Sequence, residues 1–142
     1  MKCFFAAMFC CNGKGGGDSD SDEMRLEFKS KTVTIISGRE AWDQKISESK
    51  RDGKIVVANF SASWCGPCKL MAPLYCELSE KFPSIMFLVI DVDALTEFSS
   101  SWDIRATPTF FFLRDGKQID KLIGANKPDL EKKINMLVGS SS

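Results

Sequence analysis

The stretch that decides the fold is Trp64-Cys65-Gly66-Pro67-Cys68. Two cysteines separated by two residues can close a small disulfide and open it again, so the chain carries its own redox pair and needs no cofactor. An apolar, β-branched run over 54–60 precedes the pair and predicts a buried strand, and a run of helical character follows it over 69–78. We therefore expect the pair where a strand ends and a helix begins.

This position predicts different tasks for Cys65 and Cys68. The thiolate is the nucleophile in disulfide exchange, and the unpaired N–H groups of a helix N-terminus favour an anion. We expect Cys65 to be the exposed, activated nucleophile and Cys68, one turn further in, to resolve the mixed disulfide. Pro67 suits the first turn because it has no N–H to leave unpaired. Gly66 leaves the backbone open to an approaching chain.

Two other interpretations of the cysteine pair stay open at this point. One is half of a zinc site, which needs further ligands. The chain has no histidine, and no second CxxC is formed by Cys3, Cys10, Cys11 or Cys76. The other is a static structural disulfide, although a two-residue spacer beside Trp64 favours a reducible bridge. We predict no metal site.

Composition sets broad limits on the function. The 142 residues are 44% hydrophobic and 27% charged, which fits one globular domain with a terminal segment. Basic and acidic residues balance at 19 each, so no nucleic-acid surface is indicated. The lack of histidine excludes Ser-His-Asp and Cys-His catalytic sites. Six cysteines fit a reducing, cytoplasmic compartment, and no apolar run reaches the roughly 18 residues of a membrane span.

The order of the predicted elements indicates an α/β fold. We predict strands at 32–36, 55–60, 85–90, 109–113 and 118–123, and helices at 39–50, 65–81, 95–102 and 130–138. This order implies a central mixed sheet with helices on both faces. Asp115-Gly116 predicts a hairpin between the last two strands. We expect a domain over 31–139 after a flexible N-terminal extension over 1–30.

A second motif, Ala106-Thr107-Pro108-Thr109, lies directly before the fourth predicted strand. Proline cannot donate to a sheet ladder and seldom starts a central strand. We favour a cis Thr107–Pro108 bond, which would expose the backbone of Ala106 and Thr107 to a substrate strand. An ordinary trans bond is the commoner alternative.

These and further motifs occur in an order that resembles the thioredoxin family over residues 31–138. The further motifs are Ala72-Pro73, Asp91-Val92-Asp93, Asp115-Gly116 and Gly124-Ala125. The stretches 60–64 and 98–104 are similar to plant h-type thioredoxins of the subgroup with an N-terminal extension. The resemblance implies a thioredoxin fold and a general protein-disulfide reductase. It also implies a target groove lined by Trp64, Thr107, cis Pro108 and the Gly124-Ala125 turn.

The resemblance implies partners as well. These are disulfide-containing target proteins, with either thioredoxin reductase or glutathione and glutaredoxin as electron donor. A thioredoxin-fold chaperone or scaffold is the alternative, but Cys68 is present and favours turnover. A disulfide isomerase is a weaker alternative, because such members of the family typically carry Gly-His where this chain has Gly66-Pro67.

Asn59 departs from the family pattern. Thioredoxins usually carry a buried aspartate six residues before the first active cysteine, and this aspartate is thought to help deprotonate the resolving cysteine. An amide cannot take up a proton near neutral pH. We hypothesise that Cys68 relies on water or on the thiolate released from the mixed disulfide.

The N-terminal extension carries Cys3, Cys10 and Cys11 beside aromatic residues. Reversible acylation of these cysteines would add membrane association. One of them would instead be a third redox cysteine that takes electrons from glutathione or glutaredoxin. A signal peptide and a flexible tail with incidental thiols are the other interpretations. We expect the acidic run 18–23 to be a solvated linker and Cys76 to pack as a small apolar side chain.

Overall fold

The computed structural model describes Phe28 and residues 30–140. This part of the chain contains five strands and four helices: β1 (Val33–Ile36), α1 (Arg39–Asp52), β2 (Ile55–Ser61), α2 (Gly66–Lys81), β3 (Ile85–Asp91), α3 (Thr96–Ser101), β4 (Thr109–Arg114), β5 (Lys117–Ile123) and α4 (Lys127–Ser140). Every predicted element is present in the predicted order, and each boundary lies within three residues of the prediction.

The strands form one mixed sheet in the order β1-β3-β2-β4-β5. β1, β2 and β3 are parallel, whereas β4 runs antiparallel to β2 and β5 antiparallel to β4. The carboxyl end of β2 and the amino end of β4 therefore lie at the same edge of the sheet. The loops that carry the cysteine motif and the proline motif leave from this edge, which we call the dithiol edge.

Helices cover both faces of the sheet, as predicted. All seven residues of β2 are buried, as expected for a strand with both faces covered. On one face the apolar side chains of α2 and α4 pack around Tyr75, whose hydroxyl oxygen lies 2.8 Å from the Val57 carbonyl oxygen. On the other face Trp42 of α1 joins a cluster of aromatic rings that includes Phe60 and Trp102.

The packed body begins earlier than the predicted domain. Phe28 is buried and meets the Tyr75 ring edge to face, with 5.9 Å between centroids. The Ser30 hydroxyl donates to the Glu80 carboxylate at 3.0 Å. Both residues fall inside the range 1–30 that we assigned to the extension, so part of that range belongs to the core. The predicted flexibility of residues 1–27 lies outside the described residues.

The hairpin between β4 and β5 has the predicted turn. Asp115 has φ 56° and Gly116 has φ 79°, and two successive positive φ values are typical of the tight turn that Asp-Gly favours. A Cβ at Gly116 would come within 2.6 Å of the Lys50 side chain, so α1 packs closely against this turn. Among the described helices, none is long and apolar enough to cross a membrane.

Candidate active site

The cysteine motif lies where β2 gives way to α2, as predicted. Cys65 is the N-cap residue of α2 and has extended backbone angles, and its carbonyl accepts the first helical hydrogen bond from Lys69 at 3.1 Å. Gly66 and Pro67 occupy the first two helical positions. Cys68 follows one turn into the helix and is buried. Both cysteines are free thiols in the structure.

The Cys65 sulfur faces the proline motif. The Thr107 hydroxyl lies 3.4 Å from Cys65 Sγ and donates to it, and the Thr107 carbonyl oxygen lies 3.7 Å from the same sulfur. The Thr107–Pro108 peptide bond is cis, the isomer that we favoured from the sequence. Two loops that are 42 residues apart in the chain thus meet at one sulfur atom.

The expected exposure of Cys65 is wrong: only 2% of this residue is accessible to solvent. The reason is that Thr107 lies directly against the sulfur. Trp64 is half-buried rather than exposed, and its indole N–H donates to the Asp93 carboxylate. Gly66, in contrast, is exposed, and a Cβ there would meet no described atom within 4 Å. A target therefore has open space above Gly66.

The Cys68 thiol holds its proton strongly. Burial is the largest influence and raises the pKa of Cys68 well above the ordinary thiol value, and the neighbouring Cys65 raises it further through a hydrogen bond and through charge. The Ser61 hydroxyl and the Ala62 backbone lower this pKa to a smaller extent. At neutral pH the Cys68 thiol therefore keeps its proton.

Asn59 lies in a fully buried position on β2, and neither its side-chain nitrogen nor its oxygen has a hydrogen-bond partner among the described residues. Ser61 is two residues further along the strand, so the two side chains point to the same face of the sheet. Ser61 is also buried, and its hydroxyl has no partner of standard geometry within the described part. A polar strip thus runs along β2 toward the thiols.

The Gly124-Ala125 turn lies beside the proline motif. The Gly124 N–H donates to the Pro108 carbonyl at 2.8 Å, and Gly124 has φ +100°, a backbone conformation that favours glycine. Pro108 is buried, Ala106 is half-buried and Ala125 is exposed. Thr107 thus contacts Cys65, and Gly124 contacts Pro108. The target groove itself stays a prediction.

Two residues of the site had no role in our sequence analysis. Ser61 reaches the Cys68 thiol, and Asp93 accepts the Trp64 indole N–H. Ser61 was readable from the alternation of β2, because it shares a face with Asn59. Asp93 was visible only as a member of a family motif, and nothing in its spacing indicates a contact with a residue 29 positions earlier.

The remaining candidate residues are the other cysteines. Cys76 is half-buried on α2 and packs against the core, as expected. Cys3, Cys10 and Cys11 lie outside the described residues. Within Phe28 and residues 30–140, no three His, Cys, Asp or Glu side chains are arranged to hold a metal ion.

The family model for thioredoxin matches residues 33–136. The chain belongs to the thioredoxin family. It is 62% identical over 133 residues to a thioredoxin H-type of Populus jackii, which covers 94% of this chain and 96% of that protein. It is 59% identical over 133 residues to thioredoxin H9 of Arabidopsis thaliana, which covers 94% of each.

Solved structures agree with this assignment. A wild-type poplar thioredoxin h is 68% identical and covers 77% of this chain and 98% of its own, with a TM-score of 0.76. A mutant of a poplar thioredoxin h is 55% identical and covers 93% of this chain and 95% of its own, with a TM-score of 0.80. This thioredoxin is therefore a plant h-type thiol-disulfide oxidoreductase that reduces protein disulfides. Its family implies disulfide-containing targets and thioredoxin reductase as the reductant.

Proposed function

We propose that Cys65 is the nucleophile of this thioredoxin and that Cys68 is the resolving thiol. The observation that carries this assignment is the difference between the two sulfur atoms. Cys65 caps α2, where helix N–H groups favour a thiolate, and its sulfur accepts a hydrogen bond from Thr107. Cys68 is buried and keeps its proton because its pKa is raised.

The reaction moves two electrons in two exchange steps. The Cys65 thiolate attacks one sulfur of the target disulfide, which forms a mixed disulfide and releases the other target sulfur as a thiolate. Cys68 then loses its proton and attacks the Cys65 sulfur. The Cys65–Cys68 disulfide forms, the target leaves fully reduced, and thioredoxin reductase returns the two electrons.

We propose that the target chain binds in an extended form across the proline motif. Trp64, Gly66 and Pro67 border one side, and the Gly124-Ala125 turn borders the other. The backbone groups of Ala106 and Thr107 would pair with the target backbone, as in other cases of strand addition. Pairing there would place a target sulfur next to the sulfur that Thr107 contacts.

Asn59 leaves the resolving step without a carboxylate at this position on β2. We propose that the thiolate released from the target, or water, accepts the proton of Cys68. The Ser61 hydroxyl supports this proposal, because it is the side chain that lowers the pKa of Cys68. A neutral Asn59–Ser61 strip carries no charge of its own, so it would make this step less sensitive to pH than a carboxylate would.

The N-terminal cysteines extend the proposal to a second electron donor and to location. Electrons from glutathione or glutaredoxin would enter through Cys3, Cys10 or Cys11 and pass to the Cys65–Cys68 disulfide by thiol exchange. Acylation of the same cysteines would anchor a cytoplasmic protein at a membrane. The two uses compete, because an acylated thiol cannot exchange.

The test is turnover of an oxidised protein substrate with two donor systems. NADPH with thioredoxin reductase is compared with glutathione plus glutaredoxin, for the full chain and for the variants Cys3→Ser and Cys10→Ser/Cys11→Ser. Loss of glutathione-dependent turnover in one variant, with reductase-dependent turnover intact, supports the relay. Turnover that is unchanged in both variants with both donor systems contradicts the relay. Target binding without turnover under either donor would favour the scaffold alternative.

A further inference from the structure

The edge of the sheet opposite the dithiol edge carries a row of basic side chains. Four strands begin at this edge, namely β1, β2, β3 and β5, and β4 ends there. A Lys or Arg lies at each of these strand ends or close to it in the chain. A further lysine of α1 lies over the β4–β5 turn. We call this set the basic edge; it consists of Lys31, Lys50, Lys54, Lys81, Arg114 and Lys117.

The positive charge of the basic edge is mostly uncompensated. Asp52 at this end forms an ion pair with Arg51 at 3.3 Å. Among the described residues, the other acids between these strand ends are Glu80 and Asp115, both exposed. None of the six basic side chains forms a salt bridge with another described residue. The excess of positive charge therefore faces solvent, where it attracts an anionic partner.

The dimensions of the basic edge suit a short extended peptide. Neighbouring strands lie about 4.8 Å apart, so five strand ends span about 20 Å. The chain contains an acidic run of matching length, Asp18-Ser19-Asp20-Ser21-Asp22-Glu23. Six extended residues also span about 20 Å. Aspartates at every second position would present their carboxylates on one side of such a strand.

The chain enters the body at this same end of the sheet. Ser30 contacts Glu80 near the end of α2, and the Thr32 hydroxyl pairs with Ser79 just before β1 begins. Four residues lie between Glu23 and the buried Phe28, so the two are at most about 18 Å apart. A tether this short holds the acidic run at a local concentration in roughly the millimolar range.

We propose that the acidic run 18–23 docks on the basic edge of its own chain. Charge, length and the short tether all favour this occupant over a free acidic peptide. Docking holds the N-terminal segment at the end of the sheet opposite Cys65. If the relay proposed above operates, docking also slows it, because Cys10 and Cys11 are then tethered at the end of the sheet that is far from Cys65 and Cys68. This consequence rests on the proposed relay, whereas the docking itself is independent of the relay.

Carbodiimide cross-linking of the full chain tests the contact directly. The reagent joins a carboxylate to a lysine amine that touches it, forming an amide while the carbodiimide becomes a urea. At low salt we expect cross-links within the monomer between 18–23 and Lys54, Lys81 or Lys117. In 0.5 M salt their yield should fall about fivefold or more, because screening then acts within a few ångströms.

Amide NMR shifts give an independent readout. The tail-neutralised variant carries Asp18→Asn, Asp20→Asn, Asp22→Asn and Glu23→Gln. The control loses the same charge at acids near the dithiol edge, through Glu97→Gln, Asp103→Asn, Asp129→Asn and Glu131→Gln. We expect the amide chemical shifts of the basic edge to change in the tail-neutralised variant and to stay the same in the control.

Three outcomes would overturn the proposal. The first is an absence of cross-links to the run together with identical basic-edge shifts in the tail-neutralised variant. The second is cross-links that appear only in dimers, which would assign the run to a second copy. The third is a basic edge that binds phosphatidylserine vesicles equally with and without the acidic charges of the run. Reductase-dependent turnover of the tail-neutralised variant stays intact, because its substitutions leave every residue of the dithiol edge unchanged.

Discussion

The two edges of the sheet use polar groups in opposite ways. At the dithiol edge the polar side chains are buried and neutral; they are Asn59, Ser61 and Thr107. At the basic edge the polar side chains are charged and most are exposed to solvent. A hydrogen bond inside the protein depends on atomic position, whereas exposed charges act over several ångströms and are screened by salt. The dithiol edge is therefore suited to disulfide exchange, and the basic edge is suited to attracting an anionic partner.

The largest expected effect comes from separating the roles of the two thiols. Cys65→Ser and Cys68→Ser should each lower disulfide-reductase turnover by about a thousandfold or more, since both thiols act in one cycle. Only Cys68→Ser should accumulate a mixed disulfide with the target, because Cys65 still attacks and nothing releases it. Non-reducing mass spectrometry measures this product. Equal trapping by both variants would contradict the assigned roles.

A charge placed within the neutral strip should be costly. In Asn59→Asp, burial without a partner raises the carboxyl pKa above the unfolded value of about 3.9. The variant therefore keeps its stability below about pH 3.9 and loses it as the pH rises through the folded pKa. At pH 7 the loss is about 3 kcal/mol or more.

Urea unfolding from pH 4 to pH 8 measures the loss of stability in Asn59→Asp, with Asn59→Ala as the uncharged control. The rate at which Cys68 resolves a preformed mixed disulfide should also depend more strongly on pH than it does in the native chain. An unchanged pH profile for this step would rule out our account of Asn59.

A smaller effect should follow from removing one hydroxyl at the dithiol edge. Thr107→Val keeps the shape of the side chain but deletes the donor that lies 3.4 Å from Cys65 Sγ. One hydrogen bond contributes about 0.5–1.5 kcal/mol, so kcat/KM for a protein disulfide should fall roughly 3- to 10-fold. Thr109→Val is the matched control, because its hydroxyl donates to the Ala106 carbonyl and not to the sulfur. Equal losses in both variants would argue against a role at the sulfur.

The smallest effect should come from a half-buried ion pair at the surface. Lys133 lies 2.8 Å from Asp120, and its hydrogen bond lowers the pKa of that carboxyl. Because the folded pKa is depressed, the contribution to stability is present above the unfolded pKa of about 3.9 and is lost as pH falls through the folded value. Asp120→Asn should cost less than about 1 kcal/mol at pH 7 and progressively less as the pH falls below the unfolded pKa, as measured by urea unfolding. A larger loss at neutral pH would show that this pair contributes more than an ordinary surface ion pair.

Local patterns in the sequence were enough to predict the strands and helices and the position of the two cysteines. The motif between an apolar strand and a helix placed Cys65 at the N-cap of α2, and Asp115-Gly116 gave the hairpin. The burial of Cys65 was missed because it depends on Thr107, which is 42 residues away in the chain. Phe28 was missed because the average composition of residues 1–30 hides one aromatic side chain that fits against Tyr75.

The burial of Phe28 has a consequence for any protease that trims this thioredoxin. A cut before residue 28 would leave the edge of the Tyr75 ring covered. A cut only a few residues later would remove that cover, at a cost of about 3 kcal/mol for a lost core aromatic side chain. The exact site of cleavage would then decide whether a trimmed molecule persists in the cell or is quickly degraded.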